Sequence, residues 1–115
     1  MLTDLQRIEH MIENAELVLS FIANLTEAEY ASSVEKQYAM KFAFVMLGED
    51  AASLSNELKQ KYPSIPWQRI KGMRNMVAHD YSKTEEEIIW STASTDMEPL
   101  RQQLLQIKSE LEHSK

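Results

Sequence analysis

The 115-residue chain contains no cysteine, two glycines and three prolines. The missing cysteine rules out a disulfide scaffold, an iron–sulfur centre and any thiolate zinc site, and suits a reducing cytosol. Two glycines are too few for the turns of an ordinary sheet protein. No apolar run approaches the ~20 residues of a membrane span. Asp4 and Glu9 stand where a secretory signal would need a basic start and an apolar stretch. Positive charge is also scarce: 12 Lys and Arg against 18 Asp and Glu leave a net charge of −6, which at first sight counts against a nucleic-acid partner. With 43% hydrophobic residues, enough for one core, the expectation is a soluble cytoplasmic protein in which residues 1–115 form a single domain.

The apolar residues that are present repeat at helical spacing, so the expected fold is all-α, a four- to five-helix up-and-down bundle. Leu5, Ile8, Ile12, Ala15, Val18, Ile22 and Leu25 mark one face of a first helix, and Thr3 with Gln6 reads as its capping box. Thr26 with Glu29 repeats that signature and opens a second short helix or turn. A long helix is predicted from about Ser33 to Lys61, ending before Pro63-Ser64-Ile65-Pro66. Pro66 suits the first turn of a helix running to about His79. Thr84 with Glu87 predicts a further helix through about Thr95. Pro99 either kinks that helix or opens a last one capped by Asp96 and ending near Leu111.

The charge is unevenly spread. From Lys59 to Lys83 there are six basic residues, Lys59, Lys61, Arg69, Lys71, Arg74 and Lys83, against one acid, Asp80, so this segment is +5 and the remainder −11. A solvated basic face accounts for such a run; so does a phosphate-attracting patch on a repulsive body. At α-helical spacing Gln68, Gly72, Asn75 and His79 share one stripe of the helix from Pro66. Arg74 falls within about 20° of Trp67, in the apolar stripe, where it must pair, reach water or bind something. Glu49 and Asp50 are the candidate ion-pair partners. On one continuous helix Arg74 and His79 would diverge by about 140°, so either the helix ends before His79 or a site is built from two copies. Gly48 and Gly72, both inside predicted helices, mark places where another backbone approaches, within the bundle or between protomers.

Arg74-Asn75-Met76-Val77-Ala78-His79-Asp80-Tyr81 fits an Arg-x4-His-x-Tyr pattern. With it the chain resembles the HEPN (higher eukaryotes and prokaryotes nucleotide-binding) domain ribonuclease toxins, most closely the HepT-like branch. Ile65-Pro66-Trp67, Ile70, Gly72-Met73-Arg74-Asn75, Leu47-Gly48-Glu49 and Ile89-Trp90 extend the resemblance over essentially the whole chain. Asp50 departs from it, because a small residue is expected after Gly48-Glu49; it places an extra acid near the presumed site. The resemblance implies a homodimeric, metal-independent endoribonuclease without cofactor, the toxin of a two-gene toxin–antitoxin module. Its partner would be a minimal nucleotidyltransferase (MNT) antitoxin that silences it by attaching AMP to the motif tyrosine, here Tyr81.

The residues permit that chemistry. RNA cleavage without metal needs a base for the 2′-hydroxyl, an acid for the leaving 5′-oxygen and positive charge on the phosphorane. His79, with an ordinary pKa near ~6.5, can be either acid or base. Arg74 can hold and stabilise the phosphate, and Asn75 can orient the imidazole or donate to a phosphate oxygen. Lys59, Lys61, Arg69, Lys71 and Lys83 form the candidate RNA-binding patch. Three scattered histidines make no metal-ligand set. His10 and His113 read as surface residues, and Trp67 and Trp90 as core anchors. Met40, Met46, Met73 and Met76 suit a pliable core or interface. A non-catalytic helical module that binds nucleotide or docks on a nucleotidyltransferase is the alternative, and a structural bundle with a fortuitous motif a third.

Overall fold

The computed structural model describes residues 1–78 and 83–114. His79, Asp80, Tyr81, Ser82 and Lys115 lie outside them, as do the side chains of residues 76–78, 83 and 84. The described residues form an all-α bundle: α1 (Asp4–Asn24), α2 (Glu27–Ala31), α3 (Val34–Ser53), α4 (Asn56–Lys61), α5 (Trp67–Gly72), a 3-10 turn (Met73–Ala78) and α6 (Lys83–His113).

The long helices α1, α3 and α6 carry the core. Ile8, Met11, Ala15 and Val18 of α1 meet Met40, Phe44 and Leu47 of α3, and Ile89, Ala93, Met97, Leu104 and Ile107 of α6, all fully buried. The inward positions of α6 recur every three or four residues, which keeps one apolar stripe facing α1 along its length. Each such side chain contributes roughly 1.5–3 kcal/mol by leaving water. Both capping boxes form. Thr3 accepts from the Gln6 N–H while the Gln6 side chain accepts from Thr3 N, and Thr26 and Glu29 do the same at α2.

Two helix boundaries differ from the expectation. The predicted helix from Ser33 to Lys61 breaks after Ser53. Leu54 turns extended and buries its side chain, and Ser55 caps α4 by accepting from the Leu58 N–H at 3.2 Å. The Asp4 carboxylate then accepts from Ser55 N at 3.0 Å and from Ser55 Oγ at 2.6 Å, tying the break to the start of α1. Conversely, α6 runs through Pro99 as one helix, so the proline does not open a separate last helix. A mid-helix proline costs about 3 kcal/mol. Here Pro99 and Thr95, whose carbonyl loses its donor, both face solvent, while Met97 and Leu100 on either side stay buried. Water can satisfy the freed carbonyl, and the core contacts on either side favour keeping the chain helical through Pro99. Because α6 starts at Lys83, Thr84 lies in its first turn and not at the cap position.

Candidate active site

Sequence places the motif after α5, and the fold holds that region by two anchors. Trp67 is buried at the start of α5 and donates its indole N–H to the Tyr62 carbonyl at 3.0 Å. Tyr62 in turn donates its hydroxyl to Glu110 Oε1 of α6 at 2.7 Å. Burial and the Glu110 carboxylate push the Tyr62 phenol up to about 12, and the same hydrogen bond holds Glu110 below the usual carboxylate range. The second anchor is Gly48, buried on α3. A Cβ built there would collide with the Arg74 backbone nitrogen and stand 2.9 Å from the Ile70 carbonyl and 3.0 Å from Arg74 Cβ. The α5 end and the 3-10 turn therefore lie directly on the backbone of α3, the close approach within the bundle that the sequence allowed for. Gly72 is different: among the described residues nothing approaches its Cβ position within 4 Å.

Helical geometry changes at Met73. From there the chain is 3-10, with about three residues per turn, so the α-helical stripe predicted for Gln68, Gly72, Asn75 and His79 ends before Asn75. Continued at three residues per turn, Arg74 and His79 would still diverge by about 120°. The turn leaves Arg74 and Asn75 side by side and exposed, the two members of the predicted site that the described residues contain. His79 and Tyr81 lie outside them.

Neither expected acid pairs with Arg74. Asp50 is buried on the side of α3 that faces α1, where Arg7 Nη1 donates to its Oδ1 at 3.3 Å. Burial pushes the Asp50 carboxyl up, and His10 and Arg7 pull it back. Asp50 thus adds no acid to the site, contrary to the expectation drawn from its departure from the family pattern. His10, expected at the surface, is half-buried in this cluster, whereas His113 is exposed. Glu49 is exposed, and among the described residues Arg74 makes no ion pair.

The basic residues that are described stand in different local settings. Lys59 and Arg69 share a shallow depression of about 480 Å³ with Asn56, Gln60, Trp67 and Gln68. Lys59 also donates to the Ala51 carbonyl at the end of α3, and Arg69 stands 3.7 Å from Asp96. Lys61 lies over the Tyr62 ring and outside the depression, and Lys71 is half-buried. The side chain of Lys83 is outside the described residues. Among the described residues no group of His, Asp and Glu is arranged to hold a metal ion, and no helix is long and apolar enough to cross a membrane.

Residues 11–107 match the family model for ribonuclease HepT-like proteins. The chain belongs to the HepT-like family. Its relatives include a "Probable ribonuclease HepT" of Thermococcus cleftensis, 26% identical over 94 residues, or 82% of this chain and 86% of that protein. A "Putative RNase" of Methanocaldococcus jannaschii is 23% identical over the same shares of each chain. A "Gamma-glutamylcyclotransferase and putative RNase" of that organism is 27% identical over 94% of this chain; the chain spans about half of that longer protein, 49%. No solved structure matches. The family match includes α3, the 3-10 turn and the whole Arg74-to-Tyr81 motif, so the exposed Arg74–Asn75 pair of this HepT-like chain falls inside the matched residues.

One buried group escaped the sequence reading. Lys41 and Glu86, only 4% and 6% exposed, form an ion pair at 3.0 Å between α3 and the first turn of α6. Tyr30 of α2 donates to the other Glu86 oxygen at 2.5 Å. The signal was available in Lys41, a cation inside an otherwise apolar helix face.

Proposed function

We propose that the protein is a metal-independent endoribonuclease, with Arg74 and His79 as its catalytic residues and Asn75 in support. One observation carries the reading: in a HepT-like chain, the first two motif residues are exposed on a turn pinned to the α3 backbone, and no carboxylate among the described residues neutralises Arg74. Arg74 is then available to a phosphodiester by a bidentate contact. His79 takes the 2′-hydroxyl proton, the 2′-oxygen attacks phosphorus, and the bond to the 5′-oxygen breaks. That oxygen receives a proton from a second acid, leaving a 2′,3′-cyclic phosphate. In a homodimer the second acid is the His79 of the other copy. Lys59 and Arg69 in their depression would draw the RNA backbone towards the site.

An exposed apolar stripe on α3 supports the dimer. Tyr38 and Phe42 are 54% and 65% exposed, and Tyr38 lies roughly 80° around the helix from Gly48. A copy laid on this stripe approaches the 3-10 turn. The stripe offers a few hundred Å², a substantial part of the ~800 Å² per partner of a standard interface.

In the same reading, the protein is the cytoplasmic toxin of a toxin–antitoxin pair, a single domain silenced when an MNT nucleotidyltransferase attaches AMP to Tyr81. The added charge and bulk would repel and occlude RNA. The test is RNA cleavage by wild type, Arg74→Ala and His79→Ala with and without EDTA. Both variants lose cleavage and EDTA changes nothing; full activity of His79→Ala, or loss with EDTA, rejects the mechanism. Incubation with the nucleotidyltransferase and ATP adds mass to wild type and none to Tyr81→Phe.

A further inference from the structure

On another side of α6 from its contacts with the α5 end, a groove of about 840 Å³ runs between α2, the start of α3 and the first turn of α6. Its composition is one-sided. The floor is Ala28, Ala31, Val34 and the buried ring of Tyr30, which stacks at 5.3 Å on Trp90. Glu86 reaches the floor with its carboxylate already engaged by Tyr30 and Lys41. The lip carries the exposed carboxylates of Glu27 and Glu87, and among the described residues no basic side chain lines the groove.

We propose that this groove docks a helical segment of another protein chain that presents an apolar face flanked by Lys or Arg. The apolar face would bury Ala28, Ala31 and Val34, and its cations would meet Glu27 and Glu87 across the lip. Nucleic acid is the wrong chemistry, because its phosphates would face those two carboxylates. A second copy fits poorly. It carries the same net charge of −6, 18 acidic against 12 basic residues, so covering the groove with a copy brings two acidic bodies together. In sequence, Glu86 follows Tyr81 by five residues, so a chain docked here is held near the motif. The proposal stands on the groove alone and does not require the ribonuclease reading.

The probe is a synthetic peptide of about 14 residues, long enough for a helix, with Leu at i, i+3, i+4 and i+7 and Lys or Arg elsewhere. A counterpart with Glu for every Lys and Arg is the control. Both are titrated against the full chain by calorimetry at ~150 mM salt, where loose charge attraction is screened. The basic peptide binds and the acidic one does not. Ala31→Trp, which fills the floor, and the double variant Glu27→Lys with Glu87→Lys each weaken binding by about ten-fold or more, with circular dichroism and RNA cleavage unchanged. If Ala31→Trp fails to fold, the double surface variant decides. Equal affinity for wild type and variants overturns the proposal, as does direct binding of an RNA oligonucleotide that Ala31→Trp abolishes, or a change of oligomeric state in Ala31→Trp. Should the wild type cleave no RNA, the ribonuclease reading falls while the peptide result stands.

Discussion

Gly48 and Arg74 meet backbone to backbone: the space that a Cβ on Gly48 would fill is taken by the Arg74 nitrogen, with Arg74 Cβ at 3.0 Å. The position of the motif's first residue is therefore set by the absence of a side chain on α3, 26 residues earlier in the chain. Gly48→Ala forces the 3-10 turn off α3. We expect a loss of about 1–3 kcal/mol in urea denaturation, the usual cost of overpacking, and a fall in RNA cleavage larger than the stability loss explains at temperatures where the variant is folded.

Gly72 gives the opposite expectation. Among the described residues nothing lies within 4 Å of its Cβ position, and its φ is not positive, so Gly72→Ala gains helix propensity without a clash against them. Stability should rise by about 0.5–1 kcal/mol, measured as an increase in Tm. A decrease that depends on protein concentration would show that another copy's backbone comes close there.

Arg74 is exposed and makes no ion pair among the described residues, so Arg74→Ala should change stability by no more than about 0.5 kcal/mol while abolishing cleavage. Arg74→Lys keeps the charge but loses the fork. Intermediate cleavage with raised KM is expected, and steady-state kinetics on a short RNA would check it.

The Lys41–Glu86 pair is buried on both sides. Lys41→Met strands the Glu86 carboxylate among apolar groups and should cost about 3–5 kcal/mol in urea denaturation. The double variant Lys41→Met with Glu86→Leu should recover much of that loss, because neither charge is then buried. Tyr30→Phe removes the donor to Glu86 and should cost about 1–3 kcal/mol.

Tyr62 and Glu110 predict a pH dependence at both ends of the scale. The Tyr62 phenol is raised from 10.0 to about 12, so its protonated form is favoured in the fold. Its contribution is complete below pH ~10 and is lost as the pH rises through the folded pKa. Glu110 is lowered, so its contribution is present above its unfolded pKa and is lost as the pH falls through the folded one. In Tyr62→Phe the first effect disappears and the second shrinks, since Gln106 and Lys61 also lower Glu110. Carbon NMR should find the Glu110 carboxyl moved up towards its ordinary value, and the alkaline arm of the Tm profile should flatten.

Much of this architecture was legible in the sequence because its signals are local. Thr3 with Gln6 and Thr26 with Glu29 cap their helices by contacts three residues long, and the face running from Ile8 to Val18 follows from helical periodicity. Ser53-Leu54-Ser55-Asn56 also carried a readable signal, three cap-forming residues in what would otherwise be a helix interior. What made it a break was Asp4, 51 residues away, accepting from Ser55. Pro99 was ambiguous for the same reason: its cost is local, but Met97 and Leu100 outweigh it through the core.

The sequence by itself determined the all-α class, the caps, the uneven charge and the Arg-x4-His-x-Tyr spacing, since each depends on residue type and short separations. Only the tertiary structure decided where the sparse glycines matter. It put Gly48 under Arg74 and left Gly72 open, turned Asp50 towards Arg7 and away from the motif, and buried Lys41 against Glu86. Those outcomes depend on which helix faces meet, and faces meet according to the whole core, which no short stretch of chain contains.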